Sequence, residues 1–359
     1  MNISELKIGN KIAKLPIIQG GMGIGVSLSK LASAVANAGG IGIISGAQPG
    51  YKEPDFRTDN EKANLRGLEK EIRKAKELSP EGIIGVNFLA SVTNYADMVK
   101  LAVKEKVDLI ISGAGLPKNL PSFVMGTDTK IAPIVSSGKA ASTITKLWTR
   151  KYDYLPDAII VEGPKAGGHL GFSVEDLKEN IPNIKDIVND VLQAVKEFEV
   201  KYNKKIPVIA AGGIFSGQDI AECLEQGAAG VQMSTQFVAT EECDAHEKFK
   251  EAYINSHEED IQLIVSPVGL PGRALRNKFV ESVEAADQKI KHCYRCLRGC
   301  NPATTPYCIT EALVASVEGD VDNGLVFIGS NGYKLDKITK VKDLMQELIE
   351  EANSYLKKK

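Results

Sequence analysis

Short apolar runs alternate with charged, helix-compatible stretches along most of this chain. The runs are Pro16 to Gln19, Ile41 to Ile44, Ile83 to Phe88, Leu109 to Ser112, Ile131 to Val135, Ala158 to Val161, Val208 to Ala210 and Gly230 to Met233. Consecutive apolar positions over so few residues predict strands buried on both faces, as in a parallel sheet covered by helices. The segments between them include Ser29 to Ala38 and Asp219 to Gln226, the second stopped by Gly227, a residue that closes helices readily. Strands alternating with helices pair in parallel through right-handed crossovers, and eight of them in about 220 residues favour a closed (β/α)8 TIM barrel over an open sheet. Small or polar residues follow most runs and would gather at the C-terminal rim, where such barrels build their sites.

Two connections are too long for simple crossovers. Residues 46–80 hold a polar, proline-punctuated piece, QPGYKEPDFRTDN, before a charged helix, which suggests a flap over the rim. Residues 235–290 leave the barrel after its eighth strand, with helix-like patterning in 243–256 and again in 272–290. The resulting division is a barrel over 1–240, a smaller helical region covering the substrate over 241–290, and a cysteine-rich extension over 291–359. After the cysteines, a helix-compatible 309–317, the stretch GLVFIGSNGYKL and an amphipathic helix from Val341 to about Tyr355 can pack back on the barrel or on a neighbouring subunit of a homo-oligomer.

Charge narrows the partners. The 44 basic and 46 acidic residues are interspersed, so no basic face for nucleic acid stands out. No apolar stretch is long enough to span a bilayer, and the N-terminal residues lack the pattern of a signal peptide. A cytoplasmic protein acting on a small molecule is expected.

Candidate chemistry begins where the sixth run stops, in AIIVEGPKAGGHLGF (Ala158 to Phe172), which delivers His169 inside a glycine cluster. Histidine titrates nearest neutrality and can exchange a proton with a carbon acid, so His169 is the candidate catalytic base; a hydrogen-bonded loop histidine is the plainer alternative. The loop IIQGGMGIGVS (Ile17 to Ser27) offers backbone amides to a phosphate or a flavin edge. It is not the dinucleotide fingerprint, because Leu28 stands where the third glycine belongs. Gly212 and Gly213 after the seventh run, with Ser234 and Thr235 after the eighth, fall at the usual phosphate corner of a barrel.

Taken together, PIIQGGMG (Pro16 to Gly23), GVNF (Gly85 to Phe88), AGGHLG (Ala166 to Gly171), IPVIAAGGI (Ile206 to Ile214), GVQMSTQFVATEEC (Gly230 to Cys243) and GRALRNKF (Gly272 to Phe279) resemble the nitronate monooxygenase family. That family shares its fold and many motifs with the flavin-dependent enoyl-acyl carrier protein reductase II. The resemblance implies an FMN-binding barrel in which Gly21, Met22, Gly23 and Asn87 contact the flavin. Gly212, Gly213, Gln232, Ser234 and Thr235 would hold its ring or phosphate ends, Gly168 and Met233 lie in the same motifs and join the cofactor set, and His169 would face the substrate. The implied reaction is oxidation of an alkyl nitronate with oxygen to a carbonyl compound and nitrite. The alternative is NAD(P)H-dependent reduction of an enoyl thioester, which GRALRNKF and ATEEC resemble at least as much. A non-catalytic flavin or metal redox module is a third reading.

The chain departs from the family in three places. Pro164-Lys165 replaces a usual glutamate before the histidine stretch, Ser234 replaces a common glycine, and Lys139 lies just past the fifth run, at the rim. Beyond the resemblance, KHCYRCLRGCNPATTPYC places Cys293, Cys296, Cys300 and Cys308 at intervals of three, four and eight. An iron–sulfur cluster, structural zinc or an unmetallated thiol group are all compatible with that spacing.

Overall fold

The computed structural model describes residues 3–267 and 269–358, so Met1, Asn2, Val268 and Lys359 lie outside the described residues. Eight strands close into a parallel barrel: β1 (Ile17–Gln19), β2 (Ile41–Ser45), β3 (Ile83–Leu89), β4 (Leu109–Gly113), β5 (Lys130–Val135), β6 (Ile159–Glu162), β7 (Val208–Ala211) and β8 (Gly230–Met233). All eight coincide with the apolar runs of the sequence. They follow one another around the barrel in chain order, and β8 closes against β1 with Gln232 opposite Ile18.

Two hydrophobic clusters explain why the runs carry no polar face. Ile18, Ile43, Ile111, Ile160 and Ile209 fill the barrel interior, while the alternate positions Ile17, Ile44, Ile110 and Val161 face the helices. Side chains alternate along a strand, so a strand covered on both sides must be apolar at both parities. An N-terminal hairpin (Leu6–Ile8 with Lys11–Ala13) contributes Leu6 and Ile8 to the interior cluster.

The outer ring contains α1 (Ser29–Asn37), α2 (Asn60–Leu78), α3 (Tyr95–Lys104), α4 (Gly138–Tyr152), α5 (Ile184–Tyr202) and α6 (Gly217–Glu225). After β8 the chain forms a helix over Glu247–Ile254, two antiparallel strands β9 (Ile261–Val265) and β10 (Pro271–Leu275), and a helix over Lys278–Glu284. It continues through α7 (Ile309–Val317) to α8 (Val341–Lys358). The C-terminal helix returns to the barrel and packs against α6 and α1, filling the gap in the ring between them.

Two sequence expectations change. The stretch 272–290 begins as strand rather than helix, because Gly272 to Leu275 pairs with β9 on one side and with a short strand at Gly168–His169 on the other. The segment after residue 46 is not a loose flap: Gln48, Tyr51 and Phe56 are buried, Tyr51 lies against Gly25 of the loop after β1, and Phe56 meets Tyr294 of the cysteine-rich extension at 5.1 Å between ring centroids.

Ile160 has no exposed surface at the barrel centre, so Ile160→Ala should cost about 2–5 kcal/mol, read from the urea midpoint of the ligand-free protein. A loss under about 1 kcal/mol would mean that the interior collapses around the missing atoms.

Candidate active site

The strands deliver their C-terminal residues to a cavity of about 440 Å³ at the rim of the barrel. Gly21, Met22, Gly23, Asn87, Gly168, His169, Gly212, Gly213, Gln232, Met233, Ser234 and Thr235 all lie on its wall. Every residue singled out for flavin or catalysis from the sequence is therefore brought to one place. Lys139 is not among the lining residues and sits exposed in the first turn of α4.

The backbone of the phosphate corner is shaped by glycine. Gly212 and Gly213 adopt φ of 84° and 109°, and a Cβ on Gly212 would stand 2.6 Å from the Gly163 carbonyl oxygen. Only glycine adopts this conformation while another loop lies so close. Lys165 packs against the same corner, since a Cβ on Gly213 would meet the Lys165 Cβ at 2.7 Å. Among the described lining residues, Lys165 is the one fixed cation.

His169 is held from three sides. It pairs in strand register with Gly272 of β10, its Nε2 lies 2.7 Å from the Ser266 hydroxyl, and the Phe327 ring stands edge-on at 5.1 Å. Tyr307 donates to the carbonyl of the adjacent Val265 at 3.3 Å. The loop before His169 is pinned by Arg273 of β10, whose buried guanidinium donates to the Pro164 carbonyl at 2.8 Å and to the Ala166 carbonyl at 2.6 Å.

The C-terminal half completes the wall. Phe327, Ile328 and Asn331 line the cavity, Asn331 donates to the Gly213 carbonyl at 2.8 Å, and the Ser330 amide donates to the Lys165 carbonyl at 3.1 Å. Tyr253 lines it as well and donates to the Phe327 carbonyl. Ser266, Arg273, Tyr307 and Phe327 carry no motif signal on their own, because their relevance comes from contacts between segments distant in sequence.

Glu162, at the end of β6, was also missed. It lines the cavity. Enclosure by apolar walls pushes that carboxyl up to about 7, and the same cause holds His169 down at about 4. Both groups are therefore uncharged in mildly acidic solution, and the histidine is neutral and able to accept a proton at pH 7.

Two buried acceptors on this wall, Asn87 Oδ1 and Gln232 Oε1, have no hydrogen-bond partner among the described residues. Unpaired buried polar atoms are costly and mark where a ligand donor belongs. Two buried amide acceptors, a glycine-walled corner and an adjacent lysine fit a flavin mononucleotide, with donors on its ring edge and an anionic tail.

The family model described as nitronate monooxygenase matches residues 4–351. The chain belongs to that family of oxidoreductases. Across the curated relatives, a CoA dehydrogenase of Rhodococcus jostii, named for a 5-hydroxy-7a-methyl-1-oxo-octahydroindene-4-carboxyl-CoA, is 29% identical over 269 residues, covering 75% of this chain and 65% of that protein. The chain thus spans less than two thirds of that relative. A probable nitronate monooxygenase of Staphylococcus aureus is 29% identical over 301 residues, covering 75% of this chain and 77% of the relative. Among solved structures, FabK from Thermotoga maritima superposes with a TM-score of 0.75 at 28% identity, covering 96% of this chain and 95% of that one.

The four clustered cysteines lie elsewhere, around a second cavity of about 530 Å³. All six cysteines are free. Among the described residues no group of three or more His, Cys, Asp or Glu side chains is placed to hold a metal ion, so neither structural zinc nor an iron–sulfur cluster is shown at the cysteines. No described helix is long and apolar enough to cross a membrane.

The two pocket titrations bear on stability in opposite directions. Glu162 has its folded pKa raised from 4.5 to about 7, so its contribution is complete below pH 4.5 and is lost as pH rises through 7. His169 has its pKa lowered from 6.5 to about 4, so its contribution is present above 6.5 and is lost as pH falls through 4. Urea midpoints of the flavin-free protein at about pH 4.5 and about pH 7.5 should show Glu162→Gln gaining on the parent as pH rises. A constant difference between the two proteins would contradict the assignment.

Proposed function

We propose that this chain is an FMN-dependent oxidoreductase that oxidises alkyl nitronates with oxygen, giving a carbonyl compound and nitrite. The observation that carries the reading is the pairing of an uncharged His169 with a fixed cation, Lys165, on the wall of one glycine-lined cavity. A nitronate is an anion, and a cavity with a lysine, a neutral imidazole and a carboxyl held largely protonated until about pH 7 repels it little.

FMN would be held by Gly21 to Gly23, Asn87 and Gln232 toward its ring and by Gly212, Gly213, Ser234 and Thr235 toward its phosphate, and it supplies the electron acceptor when bound. The chain's own residues do the remainder. His169 accepts the proton from a neutral nitroalkane at Nδ1, while Ser266 holds Nε2 and orients the ring. Arg273 keeps the loop and its histidine in register. Phe327 and Tyr253 help to exclude water.

One observation favours a second reading. GRALRNKF, the motif that resembles the enoyl reductases at least as closely, supplies residues 272–275 of β10, the strand directly against His169. In that reading the flavin accepts a hydride from NAD(P)H and the substrate is an enoyl thioester. The two are separated by anaerobic stopped-flow absorbance of the flavin-loaded protein. Rapid bleaching by propyl nitronate with indifference to NADH and NADPH supports the nitronate reading, and bleaching by a pyridine nucleotide alone overturns it.

Removing the base sharpens the test. His169→Asn should retain FMN and lose about 10²- to 10⁴-fold in turnover of neutral nitroalkane, with turnover of preformed nitronate largely spared. Equal loss on both substrates would remove His169 from the role of base. Lys165 is exposed, and Lys165→Ala should weaken FMN binding only about two- to fivefold, measured by fluorescence titration.

A further inference from the structure

We propose that Cys293, Cys296, Cys300 and Cys308 are the ligands of a [4Fe–4S] cluster seated in the second cavity. All four line that one cavity of about 530 Å³, and none is consumed in a disulfide. A single ion needs its donors to converge on one point, and no such convergence exists among the described residues. Four thiols arranged around an open volume suit an occupant with a volume of its own, and iron–sulfur clusters are held in this way by four cysteines.

The backbone around the thiols fits the same occupant. Arg295 and Gly299, which immediately precede Cys296 and Cys300, adopt the left-handed φ values of 51° and 81°. Successive amides in such turns form concavities that receive anions, iron–sulfur centres among them. Arg295 and Arg298 also line the cavity and offset the charge of four thiolates. The segment is tied to the barrel by hydrogen bonds from the Thr93 amide to the Cys296 carbonyl at 3.1 Å and from the Arg298 amide to the Ser91 carbonyl at 2.9 Å.

The position is informative. Ile309 of α7 lines the thiol cavity, and Leu313 and Ser316 of the same helix line the first. At about 1.5 Å of rise per residue, Ile309 and Leu313 are about 6 Å apart along the helix axis. Neighbouring residues approach both cavities a second time: Cys308 lines one, while Tyr307 donates to the carbonyl of Val265, the residue before the serine that holds His169. The two cavities therefore share a wall, and α7 stands between the cluster and the site to which we assign the flavin.

The test uses the full chain, handled without oxygen and treated with ferrous iron and sulfide. About four iron and about four acid-labile sulfide per chain are expected, with an electron paramagnetic resonance signal appearing on dithionite reduction. Cys300→Ser should lose most of the iron and that signal while keeping its flavin and its circular dichroism. Should that variant fail to fold, alkylation of the native parent decides the matter: loading must protect Cys293, Cys296, Cys300 and Cys308, identified by peptide mapping. Iron below about one per chain, iron without sulfide, zinc in its place, full loading of Cys300→Ser, or thiols left unprotected would each overturn the proposal. Metal and sulfide content are read without substrate, so their failure is distinct from failure of the nitronate reading.

Discussion

The guanidinium of Arg273 donates to the carbonyls of Pro164 and Ala166, and the site depends on that buried contact. The loop between β6 and α5 is rich in glycine and has little intrinsic shape. Two charge-assisted hydrogen bonds hold it to β10, and strand pairing of Gly168 and His169 with Arg273 and Gly272 continues the attachment. Removing the guanidinium would leave carbonyls unpaired at a partly enclosed place, which is costly. Because β10 is also bridged to Phe327 and receives the Ile328 amide at the Arg273 carbonyl, the C-terminal segment is positioned by the same strand.

The cavity that results is electrically quiet. Its carboxyl and its imidazole are both shifted toward their neutral forms by enclosure, and the fixed charge is a lysine at the phosphate corner. Such walls favour an anionic cofactor tail and an anionic or polarisable substrate, and they strengthen whatever hydrogen bonds a bound flavin makes. Asn87 and Gln232, each with an acceptor left unpaired, fit this picture, since they retain polar capacity that the protein itself does not satisfy.

A second feature of the architecture is the dual role of the C-terminal half. It supplies α8, which takes a place in the helical ring, and α7, which borders both cavities. The cysteine segment is stitched to the barrel edge rather than hanging free, as the Val92–Leu297 bridge and the Phe56–Tyr294 contact indicate. The barrel and the extension are in that sense one packed body, with the flavin wall and the thiol wall sharing a helix.

By itself the sequence determined the eight strands, their parallel order and the residues that meet at the rim. These are local properties: a strand buried on both faces must be continuously apolar, and glycine clusters mark where backbone must bend toward a ligand. The strand at Gly272 to Leu275 was not legible, because a short run containing glycine and arginine becomes β-structure only through its partners. Ser266, Arg273, Tyr307 and Phe327 were hidden for a related reason, since each acts through a neighbour distant in sequence. Glu162 was visible as a letter but not as a titrating group, for its proton affinity is set by the walls that enclose it. Composition and spacing thus specify which residues arrive at the rim, whereas long-range pairing and desolvation, which exist only in the folded chain, decide how those residues are held and in which protonation state.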